Sequence, residues 1–338
     1  VGRQRSVTVT LAQVAKLAGV SVATASKALN ERDEVAPETR LRVLGAAEEL
    51  SFQPNGLARG LISGRSRTVG LLTDELGGRF SIPILLGVEN ALGNQQMSVL
   101  LCDARGDEIR RRHYIRTLLA RQVDGLIVVG HANDVRPSLT RHIPVPVVYV
   151  YGDSDDPEDL SIVSDDRGGA RLAGEHLVMV GRRTIGHITG EYAYRAARER
   201  AGSLAEVLDG HGLSLSGKPL YGEWTQRWGR QAARILLAAH PDTDAIFCGS
   251  DQIATGVADA LHMMGVRIPD DIALVGYDNW DIFAAECRPP LTTVDLNLQD
   301  IGAAAVSYLF AALDGEPSSG VIHHSGRLVI RESSAPRP

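Results

Sequence analysis

Residues 10–30 read TLAQVAKLAGVSVATASKALN, and their pattern sets the beginning of the fold. Thr10 and Gln13 have the spacing of a capping box, in which a hydroxyl and an amide each satisfy an orphan N–H at a helix start. Leu11, Val14, Ala15 and Ala18 recur behind them at helical spacing. Gly19 stops that helix where a positive φ costs least. Ser21 stands where it can cap a second helix, Val22 to about Leu29, ahead of the polar run Asn30-Glu31-Arg32-Asp33-Glu34. A third helix begins at Pro37, favoured in the first turn, and runs to about Leu50 with Leu41, Leu44 and Ala47 expected inward. Two short helices around a glycine turn, with a third closing the core, make a helix-turn-helix unit.

Charge separates this head from the rest of the chain. Residues 1–67 hold ten Lys/Arg against six Asp/Glu, while the 338-residue chain as a whole stands at −6. A basic head on an acidic body points to a polyanion met by the head alone. The head also holds Lys16 and Lys27, two of the chain's three lysines in a sequence that otherwise uses arginine. At 44% hydrophobic and 22% charged residues, the composition is that of a globular protein with a full core. No apolar run reaches the roughly 18 residues of a membrane span. The opening VGRQRSVTVT lacks the apolar segment of a secretory signal, so a cytoplasmic protein is expected. Cys102, Cys248 and Cys287 are too few and too far apart for a disulfide framework or a metal site, and no cofactor is expected.

Beyond the head, apolar runs recur at residues 69–72, 99–101, 126–129, 145–150, 185–188, 245–247 and 272–275. Between most of them lie stretches of helical period, at 109–122, 169–180, 226–239 and 251–264. This alternation predicts parallel sheets covered by helices, with ligands bound beyond the carboxyl ends of the strands. About 270 residues of this kind suggest two lobes with a cleft between them. Catalytic signatures are missing from the sequence. Gly77-Gly78 lacks the Lys-Ser/Thr of a phosphate loop, and there is no Gly-x-Ser-x-Gly elbow. The adjacent pairs Asp165-Asp166 and Asp270-Asp271 read as capping or surface residues, and His323-His324 as a surface pair. The protein is therefore not expected to be an enzyme.

The phrases of the chain resemble the lac repressor/purine repressor family of bacterial transcription regulators. In the head these are VTLAQVAKLAGVSVATASKALN and VAPETRLRVLGAAEELSFQPNGLARGL. In the body they are GVENALGNQQMSVLLCDARGD, RQVDGLIVV, IVSDDRGGARLAGEHLVMVGRRTIGHITG, DAIFCGSDQIATGVADALHMMGVRIPDDIALVGYDN and PPLTTVDLN, in the family's order. The resemblance implies an all-α helix-turn-helix head (1–53), a hinge helix (54–67) and an α/β two-lobed body like that of periplasmic binding proteins (68–338). It puts 68–164 with 297–325 in the first lobe and 165–296 with 326–338 in the second. It further implies a homodimeric transcription repressor on palindromic double-stranded operator DNA, tuned by a small sugar-like effector. The body alone would suit a sugar-binding protein with no DNA role, and it is the head that tells against that.

By family position, Val22, Ala23 and Lys27 face base edges in the major groove, while Ser21, Thr24, Ser26 and Asn30 hold phosphates. Lysine can donate to guanine, and the two apolar residues suit a thymine methyl. In the hinge, Asn55, Ala58 and Leu61 meet the minor groove, with Leu61 wedged at the centre. The effector residues implied are Asp74, Tyr194, Arg200, Trp224, Ser250 and Asp278: charged groups for hydroxyls, and an indole face for a sugar ring. Trp224 and Trp228, at i and i+4, are placed to share a helix face. The chain departs from the family at Ser250, at Leu296 and at Gly78-Arg79-Phe80-Ser81. Only eight residues follow Ile330, with no heptads, so a dimer is expected rather than a tetramer.

Overall fold

A computed structural model describes residues 9–29, 34–52 and 65–334. The chain divides into two compact units between Ser66 and Arg67.

The first unit is helical, with α1 (Leu11–Ala18), α2 (Val22–Leu29) and α3 (Pro37–Glu49). The Thr10 N–H donates to Gln13 Oε1 at 2.8 Å, closing the start of α1, and Gly19 ends it at φ 66. Its buried residues are mostly small, including Ala15, Ala18, Ala25, Ala28, Ala46 and Ala47 around Val14 and Val43, which lets short helices approach closely. Leu41 and Leu44 do not point inward as expected. They are exposed, at 70% and 46%, and the inward stripe of α3 is Val43, Ala46 and Ala47. Leu41 and Leu44 also have helical spacing, but they lie on the neighbouring face. Periodicity alone does not say which of two apolar stripes finds a partner.

The second unit has two lobes. The first holds β1 (Thr68–Thr73), α4 (Ser81–Gly93), β2 (Ser98–Asp103), α5 (Glu108–Ala120), β3 (Gly125–Val129), β4 (Val147–Val150) and β5 (Leu160–Ser164). The second holds α6 (Asp166–Met179), β6 (Ile185–Thr189), α7 (Arg195–Gly210), β7 (Leu220–Tyr221), α8 (Gln226–Ala239) and β8 (Ala245–Cys248). It continues with α9 (Asp251–Met263), β9 (Ala273–Asp278), α10 (Asp281–Ala284) and β10 (Thr292–Asp295). The chain then returns to the first lobe with α11 (Leu298–Leu313) and β11 (Gly320–His324), and ends in the second with β12 (Arg327–Val329).

Each lobe is built on a six-stranded sheet, ordered β11-β5-β4-β3-β1-β2 in the first and β12-β10-β9-β8-β6-β7 in the second. Every pairing is parallel except β10 with β12. Parallel strands need both faces covered, and β3, β4, β6 and β8 are buried along their whole length. The chain crosses between lobes after β5, after β10 and after β11. One apolar cluster runs through both lobes, taking in Val69 and Ile162 from the first and Ile185 and Phe247 from the second. In each sheet the strand order reverses beside its first strand, β1 or β6, which is where open parallel sheets leave a crevice.

Candidate functional sites

The second helix of the head offers one candidate surface. The Ser21 hydroxyl caps it by accepting the Thr24 N–H at 3.0 Å. Ala25 and Ala28 point into the core, so Ser21, Val22, Ala23 and Lys27 are left exposed, with Thr24 and Ser26 half-buried. Val22 is 49% exposed, an apolar side chain held out on a helix whose fully buried residues are alanines. The Lys27 ammonium pairs with the Glu34 carboxylate, both on the surface. Asn30, Asn55, Ala58 and Leu61 lie outside the described residues.

The cleft between the lobes is the second candidate. Loops at the carboxyl ends of strands from both sheets surround a cavity of about 320 Å³. Phe80, His131, Asn133 and Tyr151 line it from the first lobe, and Tyr194, Arg200, Trp224 and Trp280 from the second. Phe80 stacks on Tyr151 at 4.1 Å between ring centroids, and Tyr194 meets Trp224 edge-on at 5.9 Å. Trp224 lies before the N-cap Thr225 of α8, so it does not share a helix face with Trp228. It packs instead against the backbone of Gly190, where a Cβ would come within 2.0 Å of the indole. Trp228 packs against Gly222, and its indole N–H donates to the Thr189 carbonyl at 2.9 Å.

Arg200 is 1% exposed. Its Nε donates to Asp166 Oδ1 at 2.8 Å, its Nη1 to the Gly249 carbonyl at 2.5 Å, and its Nη2 pairs with Asp166 at 2.7 Å. A guanidinium has five N–H donors, so these bonds leave donors over on Nη1 and Nη2. The group also lies 3.6 Å from the centroid of the Tyr277 ring. Burial works against its charge, but Asp166, Tyr277 and Asp278 more than offset that and hold its pKa above the ordinary value. Asp166 is the partner that sequence reading missed. Asp165 does cap α6, accepting the Gly168 N–H at 2.8 Å, while Asp166 beside it turns inward to Arg200 and to Asn133 Nδ2 at 2.8 Å.

Asp278 ends β9 with φ 108, and its carboxylate is buried. Arg79, from the loop after β1, reaches it from the opposite lobe, with Nε 3.1 Å from Oδ2. Burial pushes the Asp278 carboxyl up, and Arg79 and Arg200 oppose the shift. Behind it, Asp251 accepts from the Thr293 hydroxyl at 2.6 Å and the Trp280 N–H at 2.8 Å. Burial and the nearby Asp278 raise Asp251 to about 8. A second bridge joins the lobes beside the cavity. Arg195 grips Asp153 with two bonds of 3.0 and 2.8 Å, and its backbone N–H donates to Asp134 at 2.9 Å.

Of the residues expected to form the effector site, the fold brings Tyr194, Arg200 and Trp224 onto the cavity wall, with Asp278 directly behind Arg79. It does not bring Asp74 or Ser250 there. The Asp74 carboxylate is taken by Arg111 at 3.0 Å and Arg136 at 3.4 Å and faces an adjoining recess that shares Glu75, Gly77 and His131 with the cavity. Ser250 is fully buried and caps α9 by accepting the Ile253 N–H at 3.2 Å. In both cases nearer partners within the lobe claim the polar atoms. Arg79 had one signal in the sequence, because it sits in Gly78-Arg79-Phe80-Ser81, one of the places where the chain departs from the family.

Residues 10–55 match the bacterial regulatory proteins of the lacI family, and residues 175–334 match a periplasmic binding protein-like domain. The chain is 32% identical to the ribose operon repressor of Halalkalibacterium halodurans, across 96% of this chain and 97% of that protein. It is 30% identical to the HTH-type transcriptional repressor PurR of Aliivibrio salmonicida, across 94% and 95%. Among solved structures, the lac repressor dimer bound to operator and the anti-inducer ONPF superposes with a TM-score of 0.78 at 27% identity, covering 97% of this chain and 99% of that one. The complex of the transcriptional regulator CelR with cellobiose gives 0.64 at 29% identity, covering 96% and 100%. The similarity spans head and body in one order, and the chain belongs to the lacI family of bacterial regulatory proteins.

Proposed function

We propose that this protein is a cytoplasmic transcription repressor that binds a palindromic operator as a homodimer, with its affinity set by a small sugar-like effector in the cleft. The observation that carries this reading is the pairing, in one family member, of an exposed face on α2 with an aromatic, charged cavity between two lobes. Val22, Ala23 and Lys27 read base edges, and Ser21, Thr24, Ser26 and Asn30 hold phosphates. Asn55, Ala58 and Leu61 belong to the hinge, taken as residues 54–67. In the cleft, Trp224 and Tyr194 cover the apolar face of a ring, while Arg200 and Asp278 bond its hydroxyls. Asp74 and Ser250 act behind the wall, as a partner for two arginines and as a helix cap. The cavity is at the lower end of the size range for ligand sites, which suits a molecule of monosaccharide size. We read the chain as a binding protein and not an enzyme, since its relatives are transcriptional repressors.

A dimer is favoured by apolar residues left exposed on adjoining elements of the first lobe. Ile82 and Leu86 of α4 are 44% and 46% exposed, beside Leu101 at 37% on the edge strand β2. Two symmetry-related heads match the two halves of a palindrome.

Calorimetry against a panel of sugars and a panel of purines, followed by operator binding with and without the compound that gives heat, tests the proposal. Saturable heat from a sugar and a changed operator affinity are expected, with the heat lost in Asp278→Ala. Heat from purines alone would overturn the sugar reading, and operator binding that no compound alters would overturn the coupling.

A further inference from the structure

The cleft already contains a group with the properties of a ligand. Arg79 belongs to the first lobe, yet its guanidinium is held by the second. Its Cζ lies 4.6 Å from the centroid of Phe80, on its own side, and 5.8 Å from that of Trp224, on the far side. Its Nε is 3.1 Å from Asp278 Oδ2, and the two side chains are 14% and 3% exposed. Among the described residues neither Asp278 oxygen has a well-aligned hydrogen bond, nor does Arg79 Nε, so the two groups are held as an ion pair. Aromatic faces and a buried carboxylate are the groups by which proteins recognise a planar cation. Here the bound group is tethered to the opposite lobe. A buried carboxylate without its partner is costly, so the pair draws the lobes together across the cavity.

We propose that Arg79 is a tethered occupant of the effector slot, a latch that holds the lobes together through Asp278 when the cleft holds no effector. An effector then enters by replacing the guanidinium at Asp278, which calls for hydrogen-bond donors on adjacent atoms, as in a vicinal diol. Arg79 thereby sets both specificity and affinity, because the competent state is the one in which the latch is open. Apparent affinity falls by the fraction of molecules in that state. The Arg195–Asp153 bridge shares no group with the latch, so release of Arg79 leaves the lobes joined there.

This assignment rests on the effector reading above only in naming whose place Arg79 takes, and its test uses no sugar. Arg79→Ala should leave a slot that accepts a free guanidinium. Titration of the full-length variant with millimolar methylguanidinium, followed by tryptophan fluorescence and calorimetry, should show saturable binding. The wild-type chain, with its slot filled, and the double variant Arg79→Ala/Asp278→Asn should show none. Hydrogen exchange gives a second readout. Residues 76–82 and 279–284 should exchange about tenfold faster in Arg79→Ala and regain protection with methylguanidinium, while the strands of both sheets stay unchanged. Equal responses of wild type and Arg79→Ala, or no saturable binding by the variant together with unchanged exchange, would overturn the latch. Either failure would leave the sugar panel free to decide the effector class.

Discussion

Lys27 and Glu34 pair at the surface of the head. An exposed ion pair of this kind is worth little, so the lysine can be given up to a stronger partner. If that partner is a base, Lys27→Ala should cost about 1–3 kcal/mol on the operator and relax preference at one position. Competitive binding to operator and random DNA checks this, and equal losses on both would assign the lysine to a phosphate. In the cleft, the position of Trp224 depends on a residue with no side chain. A Cβ on Gly190 would overlap the indole at 2.0 Å, so Gly190→Ala should push Trp224 into the cavity. We expect effector heat to fall at least tenfold with the melting temperature little changed. An unchanged titration would show that the indole is not part of the binding wall.

At the level of elements, helices with strong local signals were legible in the sequence. The capping box at Thr10, Gly19 and Pro37 set the limits of the head helices, and α8 spans the same residues its periodicity predicts. Strands β5, β7, β10, β11 and β12 and helices α4, α7, α10 and α11 have no such signal among the apolar runs and helical stretches. The short, partly polar β5 and β10 owe their order to neighbours in the sheet, a tertiary effect that overrides local preference. The crossing of α8 and α9 shows how closely elements can be forced together. A Cβ on Gly229 would lie 2.2 Å from the Ile253 carbonyl, and one on Gly256 2.1 Å from that of Gln226. Backbone cannot yield as a side chain can, so Gly256→Ala should destabilise the body by about 1–3 kcal/mol. Denaturant unfolding measures it, and a midpoint within error of wild type would mean that the helices can slide apart at no cost.

On the scale of the whole molecule, two predictions concern stability and assembly. Asp251 keeps its proton in the folded body up to about pH 8, because burial and Asp278 both disfavour its charge. The unfolded chain releases that proton near the ordinary value of 3.8. Between those values the folded state binds more protons, so stability should fall as pH rises from about 4 to about 8 and then level off. Asp251→Asn should flatten this slope in denaturation curves taken across that range, and a slope as steep as wild type would place its origin elsewhere. Leu86→Asp should turn dimers into monomers in sedimentation at micromolar concentration, with weakened operator binding and an intact fold. A variant that remains dimeric would put the interface on another face.

The sequence by itself determined the order of the architecture: a helical head, then a two-lobed body of buried parallel strands. Capping residues, glycine turns and apolar periods are local features, and they act over a few residues wherever the chain goes. The chain's resemblance to the family, residue by residue, is what placed Tyr194, Arg200 and Trp224 near a cleft. Only the tertiary structure decided which polar group meets which. Asp74 went to Arg111 and Arg136, Ser250 to a helix start, and Asp166 rather than a surface role to Arg200. It alone brought Arg79 to Asp278, 199 positions apart along the chain and on opposite lobes. The physical reason is range. Helix and strand signals are set by neighbours in sequence, whereas a buried charge takes the nearest compatible partner in space, and only the closed fold defines that distance.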